Sequence, residues 1–430
     1  TEVARIRLSQ PLKLPASLRY EDLGGDQQFL AKLTDQKPVL VNLWATWCPP
    51  CIAELGTFAL FADAKQLEVV ALCVDGLEGE VDRDALSRAL RDSGYVGRSG
   101  LANEEIVETF ERLILESVYR HRGLPVPTSV LIDKGGWLTV IYKGTVSPER
   151  IIADVEKLGL GPDVARRESI PFPGRWAAPQ FVSNPVAVAE AYREGGYGED
   201  ARAHLEQFLS NNPVTPGSNL SAKRSMQLAD VHYRLGELHS ESDDVRAALA
   251  HFKAAEHFNP RSVRLKLRRI LAVSEAGEHE DARREAEQVR AQRPADPNVL
   301  ALCGDVALLA GDLAAAAQAF EATLKVDPKY IPVIDALARL RATAPDAEIR
   351  DGARALQLAE FLLQAPGASE NPEFLATLAA AYAEHGEFEK ALTKMAAARR
   401  AALAAGRQEL AEAYSAALQQ LEAERPLRDF

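Results

Sequence analysis

Two cysteines separated by two prolines are the residues of this sequence best suited to carry out chemistry. The segment WATWCPPC, residues 44–51, follows an apolar run, 37–44, and opens a predicted helix over about 49–63. A helix N-terminus has unpaired N–H groups and the positive end of the helix dipole, and both favour a thiolate. The spacing therefore predicts a redox-active pair in which Cys48 attacks a disulfide and Cys51 resolves the mixed disulfide.

The helix also predicts different environments for the two sulfurs. Cys48 is expected to be exposed at the helix N-terminus, and Cys51, one turn further in, is expected to be shielded. Pro49 falls at the first helical position, where its missing N–H has no structural cost. A lone CxxC could instead bind a metal ion. That needs two further ligands, and neither the four cysteines nor the eight histidines show such a spacing.

Composition excludes several classes of protein. The chain has 430 residues, of which 47% are hydrophobic and 26% are charged, as expected for a soluble globular protein of several domains. Its net charge of -12 and the lack of a basic stripe argue against a nucleic-acid partner. No apolar run approaches the ~18 residues needed to span a bilayer. Cys73 and Cys303 lie in apolar surroundings and are expected to be buried small hydrophobes.

Strands and helices alternate up to about residue 160, which predicts an α/β fold. The apolar runs 37–44 and 67–74 indicate strands buried on both faces. Residues 128–133 and 137–143 flank a Lys-Gly-Gly turn and predict a β-hairpin. Further helices are expected near 82–92, 103–120 and 148–158.

With these elements, a domain over 1–160, its core about 12–160, resembles the thioredoxin superfamily. The resemblance rests on CPPC at a strand-to-helix turn and on Val126-Pro127-Thr128 before a strand. It implies a thioredoxin fold in which the Val126–Pro127 bond is cis and faces the dithiol, a costly and specific feature. Pro127 is therefore expected to act with the cysteines. The residues expected to contact substrate are Val126, Trp47, Pro49 and Pro50.

Within that superfamily the run KPVLVNLWATWCPPC is similar to the membrane-tethered or periplasmic proteins of the TlpA, ResA and CcmG type. Asn42 stands where ordinary thioredoxin has a buried Asp, Glu54 stands where this subgroup has an acid, and 76–122 form a long insertion. The resemblance implies a thiol-disulfide oxidoreductase acting on protein thiols and disulfides, with an upstream dithiol partner. It implies no cofactor beyond the Cys48–Cys51 disulfide.

Glu54 also has a physical role independent of the resemblance. Side chains lean toward the N-terminus of their helix, so Glu54 can approach the sulfur pair. A nearby carboxylate disfavours a thiolate and can accept or relay a proton. The alternative is a glutamate on the helix surface.

After residue 160 the chain becomes helical and repetitive. Residues 161–181 are rich in proline and predict an extended linker or strap. Pro260, Pro294 and Pro328 recur every 34 residues, and this pattern resembles the tetratricopeptide repeat. The sequence predicts about six units over 182–405, with a capping helix and tail over 406–430. Gly236 and Gly304 are expected at the small first-helix position that lets two helices approach.

Two functions are compatible with this arrangement. In the first, the repeats recruit a substrate or partner to an oxidoreductase. In the second, the protein is a holdase-type chaperone or adaptor in which binding is the main task. The inner first-helix positions of the repeats are apolar or acidic, which favours an apolar or basic protein segment on the concave face over a carboxylate clamp. These positions are Tyr233, Glu237, Leu267, Leu271, Ala301 and Asp305.

The resemblance implies a periplasmic or exported protein, with the cytoplasm as the alternative. Thr1 is not an initiator Met, so we expect any leader to lie outside this chain.

Overall fold

A computed structural model describes residues 4–61, 66–77, 79–116, 123–159, 167–168, 184–214, 219–364 and 367–428. The chain divides into two compact units, Thr1–Asn219 and Leu220–Phe430. The predicted Pro-rich linker, 161–181, lies outside the described residues except for 167–168. In the described ranges, no helix is both long enough and apolar enough to cross a membrane.

The first unit is built on one eight-stranded sheet. Its strands are β1 (Ala4–Lys13), β2 (Arg19–Asp22), β3 (Gln27–Phe29), β4 (Val39–Trp44), β5 (Glu68–Cys73), β6 (Arg98–Leu101), β7 (Thr128–Asp133) and β8 (Trp137–Lys143). Their order across the sheet is β1-β8-β7-β4-β5-β6-β2-β3. The central strand β4 runs parallel to β5 and antiparallel to β7. All six of its residues are buried, as its continuous apolar run predicted.

Helices connect these strands. They are α1 (Leu30–Thr34), α2 (Pro49–Phe58), α3 (Arg83–Ser93), α4 (Glu104–Leu115) and α5 (Pro148–Val155). The four predicted helices are present, and α2, α4 and α5 end before their predicted C-termini. The structure confirms the predicted thioredoxin-type α/β fold.

The insertion over 76–122 extends the sheet. It contains α3, β6 and α4, and β6 pairs parallel to β5. Side-chain caps fix both of its helices, because Asp82 accepts hydrogen bonds at the start of α3 and Asn103 accepts one at the start of α4. The strands β2, β3 and β6 were not predicted, since each has only three or four residues and shows no alternating pattern.

The first helix pair of the repeat region belongs to the same compact unit as the sheet. It consists of α6 (Pro185–Glu194) and α7 (Gly198–Asn211). The Tyr192 hydroxyl donates to the backbone oxygen of Lys13, and the Tyr197 hydroxyl donates to Glu105 on α4. Tyr192 is buried. This pair therefore packs against the redox domain.

The second unit is helical. Its helices are α8 (Ala222–Glu241), α9 (Val245–Phe258), α10 (Val263–Glu275), α11 (His279–Gln292), α12 (Pro297–Leu309), α13 (Leu313–Val326), α14 (Ile331–Thr343), α15 (Gly352–Leu362), α16 (Pro372–Glu384), α17 (Phe388–Ala404) and α18 (Gln408–Glu422). They form antiparallel pairs followed by the single helix α18, in agreement with the predicted repeats.

A Cβ at Gly236 would lie 2.6 Å from the Phe252 ring, and one at Gly304 would lie 2.3 Å from the Phe320 ring. The two glycines thus permit the close helix approach that their spacing predicted.

Three histidines pack between α8 and α9. The rings of His232 and His251 have centroids 5.3 Å apart, and the His239 ring stacks on His251 at the same distance. Burial lowers the pKa of His251 to about 4 and lowers that of His232. The three rings pack against one another, and His232 also stacks on Phe258, so they fill this helix contact as aromatic side chains would.

Candidate redox site

The CPPC segment forms the turn from β4 into α2. Cys48 is the N-cap of α2 with an extended backbone, and Pro49 occupies the first helical position. The Cys48 carbonyl accepts from the N–H groups of Cys51 and Ile52, at 3.0 and 3.2 Å. Cys48 and Cys51 are joined in a disulfide. The predicted pairing of the two sulfurs is therefore present in the structure.

The surroundings of Cys48 correct one expectation. Cys48 was expected to be exposed, but its exposed fraction in the disulfide form is 4%, against 0% for Cys51. The reason is that Cys48 packs into the same apolar cluster as Cys51 and Trp44. The residue exposed beside it is Trp47, at 65%. Pro49 and Pro50 are also exposed, so an accessible apolar rim surrounds a shielded disulfide.

The cis-proline segment lies at the same end of the sheet. The Val126–Pro127 bond is cis, as predicted. The next residue, Thr128, pairs with Leu43 on β4, one step before the turn that leads to the cysteines. Val126 packs against the cluster that contains both cysteines. Pairing between β4 and β7 therefore brings this segment to the dithiol.

Glu54 lies inside the protein on α2, one turn beyond Cys51. It is buried, which excludes the surface alternative. Its Oε1 accepts from the N–H of Val146 at 2.6 Å, and its Oε2 accepts from Asn42 Nδ2 at 3.0 Å. Burial raises the pKa of Glu54 to about 7, against the opposing effect of these hydrogen bonds. A carboxyl group with this pKa exchanges a proton readily at neutral pH.

Asn42 links Glu54 to the strand that follows the cis-proline. Its Nδ2 also donates to Ser129 Oγ on β7, at 2.9 Å. The sequence singled out Asn42 and Glu54 separately but did not predict that they form a hydrogen bond. A lone Asn in an apolar strand, facing a helix that carries a lone acid, is the signal that could have indicated the contact.

Asp75 is a site residue that the sequence interpretation missed. It lies just after β5 and accepts from the N–H and hydroxyl groups of Thr46, at 3.2 and 2.5 Å. It thereby fixes the loop that leads into Cys48. Cys73, beside it, is fully buried, and burial raises its pKa to about 12. This confirms that Cys73 is a buried thiol outside the exchange pair.

The arrangement defines a class of protein. A central β-strand leads into a disulfide at a helix N-terminus, a cis-proline lies on the adjacent strand, and a buried acid follows on the helix. Together they make a thioredoxin-like redox centre. In the part of the chain that the structure describes, no three His, Cys, Asp or Glu side chains are arranged to hold a metal ion.

Comparisons with known proteins agree with this class. Residues 12–158 match the Redoxin family. The chain is 28% identical over 132 residues to the thiol-disulfide oxidoreductase ResA of Halalkalibacterium halodurans, covering 30% of this chain and 67% of that protein. It is 37% identical over 78 residues to the thiol:disulfide interchange protein DsbE of Escherichia coli K12, covering 18% of this chain and 39% of that protein. Residues 12–158 are thus similar to a Redoxin domain, and the two relatives that resemble this part of the chain carry the names thiol-disulfide oxidoreductase and thiol:disulfide interchange protein.

Solved structures resemble separate parts of the chain. A DsbF homologue from Corynebacterium diphtheriae has a TM-score of 0.29 and 19% identity, covering 36% of this chain and 92% of that one. A tetratricopeptide repeat protein from Parabacteroides merdae has a TM-score of 0.36 and 15% identity, covering 55% of this chain and 91% of that one. A third relative, ResA of Bacillus thuringiensis, is matched over 64% of its length. The chain therefore spans about two thirds of the length of the two ResA proteins and less of DsbE.

Proposed function

We propose that this protein exchanges thiols and disulfides with other proteins through Cys48 and Cys51. The observation that carries the proposal is the disulfide at the N-terminus of α2, beside the cis-Pro127 segment. In the reduced protein, the Cys48 thiolate attacks a substrate disulfide and forms a mixed disulfide, and one substrate sulfur leaves as a thiolate. The Cys51 thiolate then attacks the Cys48 sulfur and releases the second substrate thiol.

The reaction balances as a two-electron transfer. The substrate gains two electrons and two protons, and the protein keeps the Cys48–Cys51 disulfide. An upstream dithiol protein restores the reduced form by the same two steps in reverse. In this proposal Glu54 takes up the proton of Cys51, which is supported by its burial one turn beyond Cys51 on α2 and by its pKa of about 7.

The exposed residues around the disulfide form the substrate surface of this proposal. Trp47, Pro49 and Pro50 are accessible, and an apolar rim suits an unfolded or extended protein segment. Val126 offers its backbone beside the sulfurs. A segment seated between Trp47 and Val126 places its own cysteine next to Cys48.

The second unit supplies a partner site in this proposal. Stacked helix pairs expose a long surface made by their first helices, and such surfaces bind protein segments. Burial raises the pKa of Asp305, at an inner first-helix position, to about 6, and Arg264 lies over the Tyr233 ring at 4.4 Å. Arg264 adds a positive charge beside Tyr233, so the inner positions that favour an apolar or basic segment are Leu267, Leu271 and Asp305. We place the protein in an exported, oxidising compartment, where disulfide exchange of this kind operates.

The test is turnover of a protein disulfide such as insulin with a chemical reductant as electron donor. Cys48→Ser is expected to abolish turnover, since the attacking thiolate is lost. Cys51→Ser is expected to accumulate a mixed disulfide, visible by non-reducing mass analysis. Full turnover by Cys48→Ser would refute the mechanism, and Cys303→Ser serves as the matched control.

A further inference from the structure

We propose that Glu111, on the insertion helix α4, is a positioning residue for the substrate-binding segment Gly123–Pro127. We further propose that Tyr197, from the first helix pair of the repeat region, holds α4 in place. This inference rests on the proposed function, because it assigns a role to the segment that presents Val126 to substrate. It connects α4 and the segment that follows it to Tyr197, which is 92 positions away from its partner Glu105 in the sequence.

Glu111 contacts the start of the segment directly. Its Oε1 accepts a hydrogen bond from the Leu124 N–H at 3.2 Å. Gly123 lies against the same oxygen, since a Cβ built on Gly123 would be 3.7 Å from it. The segment is half-buried to exposed here, so the hydrogen bond to the Glu111 carboxyl group is one of the contacts that order it.

Lys143 holds the other side of the same peptide. Its Nζ donates to the Gly123 carbonyl at 3.4 Å. Burial lowers the pKa of Lys143, and the Glu111 charge opposes that effect by raising it. The two side chains therefore bracket Gly123–Leu124 from α4 and from the end of β8.

The far end of the segment is fixed by the sheet. Thr128 Oγ1 donates to the Pro125 carbonyl at 2.5 Å, and the Gly144 N–H donates to the Pro127 carbonyl at 2.8 Å. These bonds hold the cis-proline itself. The backbone around Val126 therefore lies between two held positions. These are Thr128 at one end and Leu124, which is bound by Glu111, at the other.

Tyr197 connects α4 to the first helix pair. Its hydroxyl donates to Glu105 Oε1 at 2.9 Å and lies 3.3 Å from Thr109 Oγ1. Thr109 is buried and stands two residues before Glu111 on the same helix. Docking of α6 and α7 therefore fixes the helix from which Glu111 reaches the substrate segment.

This arrangement predicts an effect on protein substrates in particular. A protein segment aligns its backbone along Val126 before its sulfur reaches Cys48, whereas a small aromatic disulfide reaches the sulfur without that alignment. Loss of the Glu111 contact therefore raises KM for a protein disulfide. It leaves kcat and the reaction with the small disulfide close to their original values.

The experiment uses the full chain with Glu111→Ala, Glu111→Gln, Tyr197→Phe and the control Glu108→Ala. Glu108 is on the same helix and forms an exposed ion pair with Arg112. Two measurements are made, amide hydrogen exchange over residues 123–128 and steady-state kinetics with insulin and with a small aromatic disulfide.

Glu111→Ala is expected to speed exchange over 123–128 and to raise KM for insulin about fivefold, as for loss of one hydrogen bond. Glu111→Gln is expected to keep both the exchange rate and the KM for insulin near the wild-type values, because its amide oxygen can accept the same N–H. Tyr197→Phe is expected to have a smaller effect in the same direction. Equal impairment by Glu111→Gln, or unchanged exchange in Glu111→Ala, would overturn the assignment. A wild-type protein without insulin turnover would refute the proposed function, while the exchange data would still decide whether Glu111 holds the segment.

Discussion

Glu54 changes charge at the pH at which thiol exchange takes place. Its carboxyl group is buried, and its two oxygens accept from Val146 and Asn42. Because its pKa is about 7, it is mostly neutral at pH 6 and mostly negative at pH 8. The negative charge opposes formation of a second charge at the sulfurs one turn away. Thiolate formation and Glu54 ionisation are therefore coupled.

This coupling gives a prediction for the Glu54→Gln variant in its reduced form. Gln keeps the shape and an acceptor for the Val146 N–H but cannot become negative as pH rises. The midpoint of the pH profile for Cys48 alkylation is therefore expected to fall by about 0.5–1 pH unit. The measurement is the rate of iodoacetamide labelling of Cys48 between pH 5 and pH 10. The exposed Glu156→Gln is the control, and a midpoint that moves equally in both variants would exclude a specific role for Glu54.

At the scale of elements, the sequence predicted those features that depend on local pattern. The strand β4, the N-cap position of Cys48 and the cis bond at Pro127 all agree with the structure. The strand and the N-cap position follow from short runs of residues with a clear chemical signature, whereas the cis bond was implied by the resemblance to the thioredoxin superfamily. The glycine spacing of the repeats likewise predicted where helices meet.

Features that depend on distant contacts were not predicted. Asn42 and Ser129 are 87 positions apart, and the bond between them arises only when β4 pairs with β7. The Asp75 contact with Thr46 depends in the same way on the pairing of β4 with β5. The burial of Cys48 follows from packing of the oxidised pair, which a helix-end position alone does not reveal. Sheet register decides these contacts, and one sequence does not specify it fully.

The close approach of helices α12 and α13 can be tested by adding a single methyl group. A Cβ at Gly304 would lie 2.3 Å from the Phe320 ring, so Gly304→Ala forces the two helices apart or tilts the ring. We expect a loss of about 1–3 kcal/mol in the free energy of unfolding of the second unit, as for overpacked cores. Urea denaturation followed by helical circular dichroism measures it. Gly198→Ala, in the first unit and with open space for a Cβ, is the control and is expected to leave the second unit unchanged, so equal stability of the second unit in the two variants would contradict the close packing.

At the scale of the whole chain, the boundary between compact units falls inside the repeat region. The sheet, α6 and α7 belong to Thr1–Asn219, although α6 and α7 follow the pattern of the later helices. Tyr192 is fully covered in this unit, and its hydroxyl contacts the Lys13 backbone. The first helix pair is thus part of the folded redox unit as well as the first of the repeats.

The position of this boundary predicts which N-terminal fragment of the chain folds stably on its own. Residues 1–219 are expected to fold and to keep full activity on a small disulfide. Residues 1–165 lack the covering pair and are expected to melt at a temperature several degrees lower, because the surface under Tyr192 is exposed. Calorimetry of both fragments measures the difference. Equal melting temperatures of the two fragments would show that α6 and α7 do not stabilise the redox unit.

The same fragment tests recruitment by the second unit. On the physiological protein substrate, 1–219 is expected to show a lower kcat/KM than the full chain, since the local concentration supplied by the helices is lost. On a small disulfide the two are expected to be equal. Equal efficiency on both substrates would exclude recruitment by Leu220–Phe430.

Cys73 and Cys303, the two cysteines outside the redox pair, affect how the oxidation state of the folded chain can be measured. Burial raises the pKa of Cys73 to about 12 and that of Cys303 to about 11, so at pH 7 fewer than about one in a thousand of either is a thiolate. Cys73 is buried as expected, whereas Cys303 is half-buried, and both are expected to react more slowly than the exchange pair with mild oxidants and alkylating agents while the native fold persists. A rapid change of two mass labels per molecule then reports the state of Cys48 and Cys51. The folded chain can therefore serve as a two-electron indicator of its own compartment, without removal of any other thiol.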